Sequence, residues 1–280
     1  MPRIDFIGAV GVGKSTYFRA LLRERPATRP WLTKQEARQA IAAKILRHQG
    51  TLSTRLKLAA LAIPWMRRHI VNPLMEHYCD QVAWNRPDRW GKFLLECQQF
   101  TADDPVEAMR MALGTSRLCR RIQEIAMGEF YLADRTIVFD ESIYHATLAI
   151  VAPSRQGGAG TETRRLYESL PLPAGVIHVT ANRELICERL TAREEKRKRR
   201  VLSICHLPDE AVPERIGSQL QSIEVAISVI KESGVPVLTI DSSEDLSSQP
   251  ARLAHFVSEV TTEPYSVSKR EWVPVTAEGT

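Results

Sequence analysis

The sequence predicts a three-layer α/β fold with a parallel, doubly wound sheet and a large helical insertion. A glycine-rich loop at 8–15 stands between an apolar run at 4–7 and a helical pattern at 16–22. Further along the chain, short runs of apolar and β-branched residues alternate with helical segments; these runs are 136–140, 176–179 and 235–241. Strands that alternate with helices form a parallel sheet, and such sheets bind ligands at the carboxyl ends of their strands.

The loop after the first run has the pattern G-x-x-x-x-G-K-S. Its glycines let the backbone turn tightly, so consecutive N–H groups point inward at the positive end of the following helix and form a site for anions. We expect ATP and Mg²⁺ there, with Lys14 on the β and γ phosphates and Ser15 on the metal. The nucleotide-binding loop comprises Gly8, Ala9, Val10, Gly11, Val12, Gly13, Lys14, Ser15 and Thr16.

Length and composition suit one domain over 1–260 followed by a tail at 261–280, since the chain of 280 residues is 44% hydrophobic and 25% charged. The net charge of +5 favours an anionic ligand. The five cysteines are scattered and form no C-x-x-C pair, so we expect reduced thiols in a cytoplasmic protein. The most membrane-like stretch, 56–66, contains Lys57 and Pro64 and is too short to span a bilayer.

A helix-rich block at 33–127 separates the first strand and helix from the next strand. Its segments with apolar residues at helical spacing are 35–47, 54–63, 73–82 and 105–127. The block is long for a simple crossover, so we interpret it as an insertion that shapes an acceptor pocket. We expect later helices at 183–200, 214–232 and 251–260, and a glycine-rich mobile loop at 154–163.

Two carboxylates, Asp140 and Glu141, stand at the end of the second predicted strand. Either is suited to hold the Mg²⁺ shell or to accept a proton from the attacking acceptor group. Adjacent residues of a strand point to opposite faces, so we expect one of them to face the γ-phosphate, and we choose Asp140 because it ends the apolar run. The alternative is a strand-end carboxylate that caps the next segment.

A strongly basic helix is predicted at 183–200. The cations that recur at three- and four-residue spacing, and so share one face, are Arg189, Arg193, Lys196, Arg197 and Arg200. That face suits a phosphate chain, because a guanidinium can hydrogen-bond two phosphoryl oxygens at once. The alternative is a solvated helix held by pairs between Glu194 and Lys198 and between Glu195 and Arg199. We expect no nucleic-acid strip, since no aromatic residues alternate with the cations.

Several residues outside these motifs are further candidates. His145 is a candidate pocket residue, whereas His178 lies within a predicted strand and is expected to be a core histidine. Arg117, Arg120 and Arg121 lie on one predicted helix and are candidates for contacting an anionic acceptor, with surface positions expected for at least two of them.

In sequence order, the phosphate loop, the Asp140 strand and the arginine-rich helix make residues 3–260 resemble the thymidylate kinase and deoxynucleoside kinase group of P-loop kinases. The matching stretches are 8–16 for the phosphate loop, 138–149 for the family's Asp-Arg-Tyr segment and 173–200 for its strand, helix and LID. Two features depart from the family. Glu141 stands where the family has arginine, and no second strand ending in an acidic base is visible before residue 100.

This resemblance implies the P-loop NTPase fold and assigns roles to residues. Lys14 and Ser15 would lie on the phosphates and Mg²⁺, and Asp140 near the metal or the acceptor. The LID would span about 189–206, with Arg189, Arg193 or Arg197 on the transferred group. The segment 237–243 would lie near the adenine.

These observations together predict an ATP- and Mg²⁺-dependent phosphotransferase that moves the γ-phosphate to a small-molecule acceptor, with a nucleoside or nucleotide slightly preferred over a sugar or other alcohol. The alternative is a partner-regulated P-loop ATPase that uses Asp140 and Glu141 as a Walker B pair, in which the glutamate activates water. We expect neither a nucleic-acid nor a membrane partner, and a homodimer is left open.

Overall fold

The strands of the computed structural model pair in one direction. The structure describes residues 1–84, 87–102, 105–152, 160–197 and 207–262. Its strands are β1 (Arg3–Ile7), β2 (Trp31–Thr33), β3 (Thr136–Phe139), β4 (Gly175–Thr180) and β5 (Val237–Asp241). Their order across the sheet is β2-β3-β1-β4-β5, and every neighbouring pair is parallel. The predicted parallel, doubly wound sheet is therefore confirmed.

Strand β1 lies at the centre of the sheet, where both faces are covered and apolar side chains are favoured. Ile4 and Phe6 have no exposed surface. Strand β3 pairs with β1 on one side, with Asp5 opposite Phe139, and β4 pairs with it on the other, with Phe6 opposite Ile177. Because the chain crosses over β1 between β3 and β4, the carboxyl ends of these three strands form a switch point, where open sheets of this kind bind ligands.

Helices occupy the connections between the strands. They are α1 (Lys14–Glu24), α2 (Lys34–Gln49), α3 (Leu52–Ala60), α4 (Pro64–Trp84), α5 (Pro87–Cys97), α6 (Pro105–Tyr131), α7 (Ile143–Val151), α8 (Thr161–Glu168), α9 (Arg183–Arg197), α10 (Val212–Glu232) and α11 (Gln249–Thr262). Helix α1 packs against α11, which also contacts β4 and β5, while α10 packs against α7, α8 and α9. The block α2 to α6 lies between β2 and β3 in sequence and is the predicted helical insertion.

Strand β2 is a strand that the sequence pattern did not predict. It has three residues and follows Pro30 directly, so it is too short to show a periodicity. Its end is fixed by the start of α2, where the Thr33 hydroxyl accepts from the Glu36 backbone N–H and the Glu36 carboxylate accepts from the Thr33 N–H. This capping box satisfies two backbone donors that a helix start otherwise leaves without partners.

Several predicted boundaries were wrong, including those at Pro73 and Thr161. The helix predicted at 73–82 begins instead at Pro64, so Pro73 lies inside α4. Proline is favoured in the first turn of a helix, and the hydrogen bond lost at Pro73 is compensated by burial of Val71 and Met75 on the same helix. Helix α8 begins at Thr161, within the stretch predicted as a mobile loop, whose residues 154–159 lie outside the described part.

Further findings bear on redox state and membranes. The cysteines within the described ranges, Cys79, Cys97, Cys119 and Cys187, are free thiols, and Cys205 lies outside those ranges. Burial raises the pKa of Cys97 to about 12, so this thiol stays protonated and unreactive. Among the residues that the structure describes, no helix is both long enough and apolar enough to cross a bilayer.

Candidate functional site

The loop between β1 and α1 adopts a conformation that requires glycine. Gly11 and Gly13 have φ angles of 84° and 109°, a region that side chains with a Cβ rarely adopt. At Gly8 a Cβ atom would lie 2.4 Å from the carbonyl oxygen of Val179, at the end of β4. Gly11 faces α9, where a Cβ would lie 2.9 Å from Cγ of Leu190. The loop is therefore pressed between β4 and α9, with Gly13 as the N-cap of α1.

Lys14 folds back into this loop. Its Nζ donates to the carbonyl oxygens of Gly8 at 2.7 Å and Ala9 at 2.8 Å, and the side chain is buried. Burial lowers the pKa of Lys14 to about 8, although the negative charges of Glu141 and Asp140 act to raise it. A buried ammonium at a helix N-terminus, inside a glycine loop, fits a phosphate chain as its counter-charge.

Asp140 and Glu141 both lie near Lys14. Strand β3 ends at Phe139, so both carboxylates stand beyond the strand, and the alternation that we expected to separate them does not apply. The Asp140 Oδ1 accepts from the Glu141 backbone N–H at 3.1 Å. The Glu141 Oε2 lies 3.7 Å from Nη2 of Arg121.

The residues around the loop fit Mg²⁺ by their chemistry. Ser15 is exposed at the first turn of α1, and Asp140 is partly exposed at the end of β3, so both present oxygens to solvent. Among the residues described, no three or more His, Cys, Asp or Glu side chains group as a metal cage. Mg²⁺ bound with phosphates needs no such cage, because phosphate and water oxygens supply most of its ligands.

The arginines of α9 have separate environments. Arg189 donates from Nη1 to the Val12 carbonyl at 3.0 Å and to the Ser242 hydroxyl at 2.7 Å, and from Nη2 to the Ser242 carbonyl at 2.8 Å. It therefore links the phosphate loop to the segment after β5. Arg193 is exposed, and α9 ends at Arg197. The part of the predicted LID at 198–206 lies outside the described residues.

A cavity of about 580 Å³ opens beside the phosphate loop. It is lined by Val10 of the loop, by Glu141, Ser142 and His145, and by further residues of α2, α6, α7 and α10. The lining contains six cationic side chains but only two carboxylates, those of Glu124 and Glu141. The cations are Lys34, Arg110, Arg117, Arg120, Arg121 and Arg215.

The charge of this cavity is only partly compensated. Arg121 pairs with Glu124 at 2.6 Å, and Arg215 pairs at 2.6 Å with Glu107. Lys34, Arg117 and Arg120 have no carboxylate within ion-pair distance among the described residues. The cavity therefore carries excess positive charge next to the phosphate loop.

His145 lines the cavity as the sequence suggested. Burial and the nearby charges of Lys14, Arg121 and Arg117 lower the pKa of His145 to about 3, while a hydrogen bond to the Gly8 backbone acts in the opposite direction. The ring is therefore neutral at physiological pH and acts as a polar, uncharged wall. His178 is buried in β4, and burial lowers its pKa to about 4, in keeping with a core histidine.

Sequence reasoning missed several residues that line the cavity, among them Lys34, Arg110, Arg215 and Gln219. Arg110 lies on the same face of α6 as Arg117 and Arg121, at spacings of seven and eleven residues, so the helical period carried a signal for it. No such signal exists for Lys34, Arg215 and Gln219, which reach the cavity from α2 and α10. The Gln219 Oε1 also accepts from the Val10 N–H at 3.5 Å.

The strand order, the glycine loop and the buried lysine define the class of this protein as a P-loop α/β fold. No protein-family model matches the chain, and no curated protein matches it either. Among solved structures, it is similar to the deoxyadenosine kinase from M. mycoides with bound dCTP. The TM-score is 0.44 at 12% identity, over 92% of this chain and 99% of that chain. The fold class rests on this chain's own strand order and loop geometry.

Proposed function

We propose that this protein is an ATP- and Mg²⁺-dependent phosphotransferase that moves the γ-phosphate to a small anionic acceptor. The observation that carries the proposal is the position of the cationic cavity, whose lining includes Val10 of the phosphate loop and Glu141. A molecule held there presents its reacting oxygen to the γ-phosphate. Positioning and charge neutralisation account for most of the catalysis of phosphoryl transfer.

The residues of the loop bind and orient the donor. When nucleotide enters, Lys14 exchanges its bonds to the carbonyls of Gly8 and Ala9 for bonds to phosphate oxygens. Ser15 and Asp140 offer oxygen ligands to Mg²⁺, which when bound neutralises phosphate charge. Arg189 holds the loop against the segment after β5, and Arg193 and Arg197 are the proposed donors to the transferred group.

The acceptor is bound by its negative charge. Arg117 and Arg120 lie on the cavity side of α6 without carboxylate partners in the described part of the chain, so they are available to an anionic group. Strand β2 ends at Thr33 and is followed directly by Lys34 of α2, so this strand end provides no carboxylate base. An acceptor oxygen that is already ionised, such as that of a phosphate monoester, needs no base. Among the acceptors considered, this favours a nucleotide or phosphorylated sugar over a nucleoside or neutral sugar.

A partner-regulated ATPase is the second candidate. It is favoured by the exposure of the Glu141 side chain, which is 59% accessible beside the buried Lys14 and can therefore meet water. In this case Glu141 would activate water for attack on the γ-phosphate, and Glu141→Gln would abolish turnover that needs no acceptor.

One assay separates the two functions. ADP release is measured with Mg²⁺ and ATP alone, and then with pools of nucleosides, nucleotides, sugars and sugar phosphates, using Lys14→Ala as the blank. Stimulation confined to an anionic pool supports the phosphotransferase. Equal turnover in every pool, lost in Glu141→Gln, supports the ATPase, and turnover that survives in Lys14→Ala contradicts both.

A further inference from the structure

Helix α3 and the first turn of α4 expose large apolar side chains. Leu52, Leu56 and Trp65 are 76%, 67% and 72% accessible, and Ile63 between the two helices is 40% accessible. We call these four residues, together with the neighbouring cations Arg55, Lys57 and Arg68, the α3–α4 surface. Isolated exposed apolar residues are ordinary, but several within one short segment mark an interaction site.

Helix α3 is apolar on two opposite sides. Its inner side buries Thr54, and Leu58 and the following Leu61 line a shallow cavity above α2. Leu52 and Leu56 lie one turn apart and point the other way, into solvent. An apolar stripe on a helix normally packs against another element. Among the described residues, only the inner apolar side of α3 is covered.

The α3–α4 surface is also strongly positive. Positions 37–75 contain no Asp or Glu, while they contain seven Lys and Arg residues. Arg55, Lys57 and Arg68 are exposed and make no ion pair within the described residues. On the helical wheel of α3, Arg55 lies about 60° from Leu52 on one side of the outward apolar stripe, and Lys57 lies about 100° from Leu56 on the other side.

We propose that the α3–α4 surface docks onto an anionic lipid bilayer. Leucine and tryptophan side chains insert at the boundary of headgroups and acyl chains, and the flanking Lys and Arg residues bind the lipid phosphates. A second copy of the chain is a poorer occupant, because two positive surfaces would face each other across the symmetry axis. The expectation of no membrane partner rested on a spanning segment, whereas this surface lies flat on the bilayer.

The test is flotation of the purified chain with vesicles of phosphatidylcholine alone and of phosphatidylcholine mixed with phosphatidylglycerol. We expect the wild-type chain to float with the mixed vesicles at low salt, to be released by high salt, and to remain behind with phosphatidylcholine alone. Each of Leu56→Ser and Trp65→Ser should lower the partition coefficient about tenfold, and Lys57→Gln about fivefold. Leu95→Ser is the matched control, because Leu95 is 62% accessible but lies on α5, outside the basic stretch.

Three results would overturn the proposal. The first is a wild-type chain that binds both vesicle types equally or neither, a comparison that needs no variant. The second is an equal loss of binding in Leu95→Ser and Trp65→Ser. The third is a dimer in light scattering that Trp65→Ser dissociates, since the surface would then be occupied by a second copy.

Discussion

The pH dependence of nucleotide binding depends on Lys14. With a pKa of about 8 in the protein without ligand, about nine-tenths of the side chain is protonated at pH 7 and about one-tenth at pH 9. The phosphate charges favour the protonated form, so the complex keeps its proton across this range. The association constant for ATP should therefore fall about tenfold from pH 7 to pH 9, which corresponds to about 1.4 kcal/mol.

The measurement is a titration calorimetry series with ATP at several pH values, repeated with Lys14→Met. The variant should bind more weakly at every pH and show no fall between pH 7 and 9. Glu141→Gln is a second probe. Because Glu141 raises the pKa of Lys14, removing its charge should move the midpoint of the wild-type curve below pH 8. An ATP affinity that stays flat in the wild type, or that falls equally in Lys14→Met, would refute the role given to Lys14. His145 cannot produce the transition, since its pKa lies near 3.

Three further substitutions test the loop and the cavity. Gly8→Ala should lower the free energy of unfolding by about 1–3 kcal/mol and weaken ATP binding, because the added Cβ would lie 2.4 Å from a carbonyl oxygen. The control is Gly91→Ala, whose added Cβ would meet no atom within 4 Å and which should be neutral or stabilising in the same thermal melts. Arg117→Ala should raise KM for an anionic acceptor at least about tenfold without changing KM for ATP, whereas Arg23→Ala on α1 should change neither. Arg189→Ala should raise KM for ATP more than it lowers kcat, since it frees the loop from Ser242; a pure kcat effect would assign Arg189 to the transferred group instead.

The sequence predicted the centre of this fold well because its signals there are local. Strands β1, β3 and β4 are buried and mostly apolar, and the glycine pattern that follows β1 has few alternatives to a phosphate loop. The edges were predicted less well. Strand β2 has three residues and gains its stability from pairing with β3, so its own sequence does not predict it. Pro73 was taken as a helix boundary, although tertiary burial holds it inside α4.

The candidate site, like the fold, could be predicted from the sequence only in part. The loop residues and the two carboxylates could be named from the sequence, because each lies next to the end of a strand. The cavity could not, because its walls combine α2, α6 and α10, which are far apart in the chain. Arg189 shows the limit of helical spacing as a guide. Its spacing placed it among the cations of α9, but its bonds to Val12 and Ser242 depend on three segments that meet only in the folded chain.

The central claim is that a phosphate group passes from ATP to an acceptor that is itself anionic. The most direct test compares ADP formation with matched pairs of acceptors, each a neutral alcohol and its phosphate monoester, for nucleosides and for sugars. The cationic cavity predicts turnover with at least one phosphate monoester and much weaker turnover with its neutral partner, with Arg117→Ala and Arg120→Ala reducing the difference. Turnover that is equal for both members of every pair, or higher for the neutral alcohol, would contradict it.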